Sequence, residues 1–311
     1  MNNAGLLAPR DMYGKTLVEL GEKGSNIFVL NADVSKATKT EEFGNKFKDK
    51  YLNVGICEQN MAGIAAGLAR AGFTAIMSTF ASFAPGRCYD QIRQSIAYSN
   101  LNVKVISTHP GLAVGADGAM HQALEDIALM RELPNFIVLA PSDSVQTRKA
   151  VIKAVEYNGP VYIRVGRMEC PILFNEDCEF EIGKSYTIKD GSDITLIAYG
   201  SMVHIINDAA LELEKNGISA RVIDMPTIKP IDKDAIIKAA KETKGIITAE
   251  DHSIYGGLYS AVCEVTSGFS PCKVKAVAVE DTFGESGDRT ELYKKYGLTK
   301  EHIIKEAMSI L

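Results

Sequence analysis

The sequence predicts an α/β chain of two domains, a doubly wound parallel sheet followed by a smaller α/β unit, and three observations predict it. The chain has 311 residues, more than one compact core ordinarily holds. Short β-branched runs alternate with longer amphipathic stretches, the pattern left by parallel strands joined through crossover helices. That alternation lapses once, over residues 170–190, and then resumes.

In the first domain, residues 1–172, the runs 27–30, 75–77, 103–107, 136–139 and 161–165 read as strands. Their near-continuous Val, Ile and Leu suit a sheet covered on both faces. Helices are expected over 11–23, 41–50, 58–71, 87–98, 121–131 and 142–157. Pro141-Ser142-Asp143-Ser144 opens the last of these with side-chain oxygens able to cap exposed amides. Residues 173–190 are polar, with Gly and no periodicity, and read as the connection. In the second domain, residues 191–311, strands are expected over 194–199, 221–224, 245–249 and 274–279, and helices over 202–216, 232–243 and 258–266. Gly217 stands where a helix C-terminus favours a left-handed residue.

Composition narrows the function classes. Hydrophobic residues make up 46% and charged residues 23%, as in ordinary folded domains. A net charge of -5 gives no broad basic surface, so nucleic acid is not the expected partner. No charged leader precedes an apolar stretch and no apolar run reaches bilayer length, so a cytoplasmic protein without membrane association is expected. Cys57, Cys88, Cys170, Cys178, Cys263 and Cys272 form no C-x-x-C pair, which argues against a metal cluster or a disulfide framework.

Four motifs carry chemistry. Gly55-Ile56-Cys57-Glu58-Gln59-Asn60-Met61 precedes a helix rich in small residues, and Glu58 opens it, where the positive helix end favours a carboxylate. After the next strand comes Ser78-Thr79-Phe80-Ala81-Ser82-Phe83, whose two phenylalanines core packing alone would explain. The glycine-rich run from Thr108 to Gln122 follows a strand and so lies at the carboxyl edge, where open α/β sheets bind ligands. It holds His109 and His121, two of the chain's five histidines, with Asp117 between them. Finally, Arg164 ends a strand in Tyr162-Ile163-Arg164-Val165-Gly166-Arg167. It can grip a phosphate through two parallel hydrogen bonds, or serve in an inter-domain ion pair.

Taken in this order, the motifs resemble the transketolase family over nearly the whole chain. The resemblance implies a pyrimidine-binding domain followed by a transketolase C-terminal domain, and thiamine diphosphate as cofactor. Glu58 looks like the glutamate that bonds N1′ of the aminopyrimidine, and Ile56, Phe80 and Phe83 fall at the walls of its pocket. A proton shared at N1′ is general acid-base chemistry acting through the cofactor. His109 and Asp117 take the places of groups that contact sugar hydroxyls or phosphate, and His121 that of the histidine beside the reacting carbonyl. Glu58, His109 and His121 are thus the implied catalytic residues. Arg164 resembles the phosphate anchor and Arg10 a second phosphate contact. Asn31 stands where many transketolases have serine and can still donate to phosphate. Gly86 replaces a tyrosine, which leaves the pyrimidine wall incomplete unless Tyr89 or another side chain fills it. Residues 249–257 and 283–287 also look like the C-terminal domain, with structural roles. For His252 a helix start or a subunit contact is expected.

One part of the family pattern is missing. The Gly-Asp-Gly segment and later asparagine that hold magnesium and diphosphate do not occur in the chain, nor do the family's N-terminal histidines. A divalent cation is needed to neutralise the diphosphate. The resemblance therefore implies an N-terminal transketolase subunit that binds most of the Mg2+ and diphosphate, no metal ligand in this chain, and an A2B2 heterotetramer acting on phosphosugars. The implied reaction moves a two-carbon ketol unit between ketose and aldose phosphates. The alternatives are a 1-deoxyxylulose-5-phosphate synthase-like or 2-oxo-acid dehydrogenase beta-like subunit, and a non-catalytic scaffold. The synthases share the A-D-G-x-x-H run but place an arginine where this chain has Pro110. Retention of Glu58, Asp117, His121 and Arg164 together speaks against a scaffold.

Overall fold

The structure is a computed structural model that describes residues 5–311. The chain forms two compact units. One runs to Pro110 and resumes over Leu129–Glu181; the other comprises Gly111–Ala128 and Ile182–Leu311.

The first unit contains α1 (Pro9–Glu22), β1 (Ile27–Asn31), α2 (Ser35–Thr38), α3 (Glu41–Lys46), β2 (Tyr51–Asn53), α4 (Glu58–Arg70), β3 (Thr74–Phe80), α5 (Tyr89–Gln91) and β4 (Val103–Thr108). It resumes within α6 (Asp126–Glu132), of which residues 129–132 belong to it, and continues through β5 (Ile137–Leu139), α7 (Ser144–Glu156) and β6 (Val161–Val165). Within it six parallel strands run in the order β5-β6-β4-β3-β1-β2. Every residue of β4 and β6 is buried, and both strands are rich in Val and Ile, with Lys104 and Arg164 as their charged members. Asp143 caps α7, its carboxylate accepting from Gln146 N at 2.7 Å.

Two expected helices differ. Residues 121–131 are helical only from Asp126. The expected helix 87–98 is one turn of α5 between two wide π-type segments, Ser82–Arg87 and Ile92–Ala97. Pro85 lies inside the first of these and cannot donate to an ordinary helical ladder. The edge strand β2 is half-buried or exposed throughout, so it left no apolar signature.

The second unit contains β7 (Tyr186–Lys189), β8 (Ile194–Ala198), α8 (Met202–Lys215), β9 (Ala220–Asp224), β10 (Thr227–Lys229), α9 (Lys233–Glu242), β11 (Gly245–Ser253), α10 (Leu258–Phe269), β12 (Lys273–Val279), α11 (Arg289–Lys295) and α12 (Lys300–Met308). Its sheet has the order β12-β11-β8-β9-β7, parallel except for β7 at the edge. β7 falls within the residues read as connection. Gly217 has φ 78°, the left-handed stop expected after α8. Helices α11 and α12 start at Asp288 and Thr299, whose side chains accept from Thr290 N and His302 N. Among the described residues no helix is long and apolar enough to cross a membrane.

Two buried or half-buried charges in the first unit make stability depend on pH. Lys104 is fully buried in β4, and its ammonium donates to Tyr157 O at 2.7 Å and Gly159 O at 2.6 Å. Burial pulls its pKa from 10.5 down to about 7. Between those values the unfolded chain holds a proton that the folded chain releases, so stability rises with pH across that window. Urea midpoints should show the wild type gaining stability relative to Lys104→Met between about pH 7 and about pH 10. Parallel profiles for the two proteins would contradict this.

Glu19 on α1 accepts from Arg148 Nε at 2.8 Å and Nη2 at 2.6 Å on α7. Hydrogen bonds from Arg148, then Lys23, hold its carboxyl down at about 2. A depressed carboxylate contributes stability above its unfolded pKa and loses it as pH falls toward the folded one. Glu19→Gln should therefore cost about 1 kcal/mol at pH 7 by chemical denaturation. The cost should shrink as the solution is taken from pH 5 toward pH 2, and a cost that grows with acid would refute the pairing.

Candidate functional site

Glu58 is the first residue of α4, following Cys57, whose side chain makes no cap. Despite that terminal position it is only 2% exposed. Its Oε1 accepts from Arg87 Nη1 at 2.9 Å. The same guanidinium lies over the Phe83 ring, 4.1 Å from its centroid. Phe83 stacks on Phe80 at 5.6 Å with a 30° interplanar angle, and Phe80 in turn packs against the His109 ring at 4.2 Å. A buried carboxylate, a planar cation, two phenyl rings and an imidazole thus follow one another in contact. Burial, reinforced by the Glu58 charge, pushes the neighbouring Cys88 thiol up to about 12, so it remains protonated.

Arg87 was not among the residues the sequence singled out. The wall left short at Gly86 is not completed by Tyr89, whose hydroxyl bonds Glu132 and is raised in pKa chiefly by burial. Arg87 covers Phe83 instead. Its backbone is held by Gln59, whose Nε2 donates to Arg87 O at 3.2 Å.

His109 follows β4 with φ 60°, a left-handed conformation uncommon outside glycine. Its Nε2 lies 3.2 Å from Arg10 Nη1 and its Nδ1 lies 2.7 Å from Thr108 Oγ1. Arginine only donates, so Nε2 accepts and the ring proton sits on Nδ1. Arg10 also donates to Ala37 O at 3.3 Å. Its pKa is lowered, first by burial and then by Arg167, while Asp11 opposes the shift.

Arg164 is buried on β6, opposite Ser107 of β4 in register. Asn31 ends β1 fully buried. Its amide donates to Thr38 Oγ1, Thr40 Oγ1 and Ser78 O at 2.9, 3.1 and 3.1 Å, while its carbonyl accepts from Val34 N. The Asn31 amide is therefore committed to holding the turn after β1. Ile56 is 73% exposed on the loop before Glu58.

Asp117 and His121 belong to the second unit, on the loop 111–122. Asp117 is exposed and His121 half-buried. The loop is tied down by residues that the sequence reading gave structural roles. Asp251 accepts from Leu112 N at 2.8 Å, Ala113 N at 3.3 Å and the Tyr293 hydroxyl at 2.8 Å. Gln122 Nε2 donates to Gly115 O and Glu285 O. A Cβ on Gly111 would lie 2.2 Å from Asp251 Oδ2, and one on Gly118 would lie 2.5 Å from Ser286 Oγ. Both glycines also have positive φ, so close approach and backbone conformation require them together. His252 is fully buried, and its Nε2 accepts from Ala128 N at 3.4 Å, near the start of α6. That is a helix-start role.

The donor set around Glu58 fits an aminopyrimidine: a buried carboxylate can face a ring nitrogen, and the Phe83 face can stack on the ring plane. A planar, amidine-like cation already makes both contacts. Among the described residues no group of three or more His, Cys, Asp or Glu side chains is placed to hold a metal ion.

Residues 7–172 match the family model described as transketolase, pyrimidine binding domain, and residues 183–303 match transketolase, C-terminal domain. A solved structure described as a split gene transketolase, inactive beta4 tetramer, is 48% identical, with TM-score 0.92 and 98% of each chain covered. One of the subunits of the apulose-4-phosphate transketolase of Phocaeicola vulgatus is 39% identical, covering 98% of each chain. The 6-deoxy-6-sulfo-D-fructose transketolase subunit SqwH of Clostridium sp. strain MSTE9 is 37% identical over 97% of this chain and 94% of its own. With both matched domains in order and relatives aligned along almost its whole length, the chain belongs to the transketolase family.

Proposed function

We propose that this chain is the C-terminal subunit of a thiamine-diphosphate-dependent transketolase, transferring a two-carbon ketol unit between ketose and aldose phosphates at a site completed by an N-terminal subunit. The observation that carries the proposal is Glu58, a carboxylate 2% exposed at a helix start beside the Phe83 and Phe80 rings. The coenzyme, when bound, supplies the electron sink that lets a carbon–carbon bond beside a carbonyl break. Glu58 holds a proton at ring N1′, which needs a protected carboxylate because water would compete for it. Phe83 and Phe80 keep water from that proton.

His109, in its Nδ1-protonated form, and Arg10 form a polar pair that suits the hydroxyls and phosphate of a sugar. Arg164 supplies a further phosphate contact. Asp117 and His121 carry the family's roles toward the sugar hydroxyls and the reacting carbonyl.

A partner is proposed because this chain has no Gly-Asp-Gly segment to hold Mg2+ and diphosphate. Two of its relatives are named as subunits, and a further one is described as an inactive tetramer of beta chains. The proposed assembly is an A2B2 heterotetramer, with Mg2+ held mainly by the N-terminal subunit. The relatives' names cite apulose 4-phosphate and 6-deoxy-6-sulfo-D-fructose, so the donor is proposed as a class of ketoses rather than one sugar.

A donor panel on the complex with the N-terminal subunit tests this. Xylulose 5-phosphate or another ketose should be cleaved only when an aldose phosphate is present to accept the two-carbon unit, and pyruvate should be inert. Decarboxylation of pyruvate with no ketose turnover would instead make the chain synthase-like or dehydrogenase-like.

A further inference from the structure

We propose that Arg87 is a built-in competitor for the aminopyrimidine slot, its guanidinium making the two contacts, to Glu58 and to the Phe83 face, that the coenzyme ring needs. The inference rests on the thiamine diphosphate reading above and names a residue that sets how tightly the coenzyme is held. A guanidinium and an aminopyrimidine share the features that matter here: both are flat, both present N–H groups in one plane, and both stack on aromatic faces. Arg87 Nη1 meets Glu58 Oε1 at 2.9 Å while its guanidinium lies 4.1 Å from the Phe83 centroid. Two planar groups cannot occupy the same carboxylate edge and the same ring face, so one excludes the other.

The exchange requires only a side-chain movement. The Arg87 side chain is 45% exposed, whereas Glu58 is 3% exposed, so the cation stands on the solvent side of the pair. Gln59 holds the Arg87 carbonyl, which keeps the backbone in place while the side chain turns. Preceding Arg87 is Gly86, around which a Cβ would meet nothing within 4 Å, so there is room beside it. The pairing also has a use. A buried carboxylate without a counter-charge is costly, and the α4 N-terminus offsets only part of that cost. Arg87 neutralises Glu58 until the ring replaces it.

When a binding-competent form is only a fraction of the population, apparent affinity falls by that fraction. Calorimetric titration of the complex with the N-terminal subunit, using thiamine diphosphate and Mg2+, should show Arg87→Ala binding the coenzyme about ten-fold tighter than wild type. Arg87→Lys retains a charge for Glu58 without a flat group over Phe83, and should fall between the two. It serves as the measurement if the alanine variant does not fold.

Unchanged or weaker coenzyme binding in both variants overturns the proposal. So does a rise in the half-saturating phosphosugar concentration at unaltered coenzyme affinity, which would make Arg87 a sugar contact. Glu58→Gln separates this from the underlying reading: if it binds the coenzyme as well as wild type does, the assignment of the slot itself fails, whatever Arg87 does.

Discussion

Glu58→Gln, assayed in the complex with the N-terminal subunit, is expected to slow turnover by roughly 10²- to 10⁴-fold, the usual worth of a positioned proton-transfer group. Glutamine keeps the length of the side chain and an oxygen that can accept from Arg87, so the slot should retain its shape. It loses the capacity to share a proton with a ring nitrogen. Because the carboxylate is only 2% exposed, solvent cannot replace it. The half-saturating phosphosugar concentration should change little, since Glu58 is not proposed to touch the sugar. A variant within a factor of two of wild type in turnover would remove Glu58 from the chemistry.

Asp251→Ala is the second large effect, and it acts on folding. Asp251 satisfies Leu112 N, Ala113 N and the Tyr293 hydroxyl at once, all buried. Burial and the Asp251 charge raise the Tyr293 pKa, so this hydroxyl stays a donor. Removing the carboxylate strands the two backbone donors at about 1 to 3 kcal/mol each, while the Tyr293 hydroxyl can still donate to Ser201 Oγ at 3.1 Å, so a loss of about 2 to 4 kcal/mol is expected. The variant should show a clearly lower urea midpoint and faster proteolysis within residues 111–122. Asp251→Asn should lose less, because its amide oxygen still accepts and the tyrosine hydroxyl can turn to accept in its place. A loss under about 1 kcal/mol in the alanine variant would mean that the loop is held by other groups.

The sequence was legible where burial is uniform and opaque where contacts are long-range. Strands such as β4 and β6 announced themselves because both faces are covered, and Asp143 announced α7 because capping is a local matter. The half-exposed edges β2 and β7 gave no period. The segment 82–98 carries a helix-like composition, yet it winds in wide turns around Pro85. Glu58 and the two phenylalanines could be singled out by order and type. Their connection through Arg87 could not, because the pair lies 29 residues apart and arginine is common on surfaces. Asn31 shows the opposite error of emphasis: an amide at a ligand edge suggested phosphate, whereas its hydrogens are spent on Thr38, Thr40 and Ser78. The anchoring of the 111–122 loop by Asp251 joins residues 139 apart, a pairing that only the fold makes visible.

The central claim is that coenzyme binding is divided between two polypeptides, and the most direct measurement is a thiamine diphosphate titration with Mg2+ of this chain alone and of the chain mixed with an N-terminal transketolase subunit. Saturable binding at low coenzyme concentration, together with ketose cleavage, should emerge only in the mixture. Equally tight binding and full sugar conversion by this chain on its own would contradict the divided site.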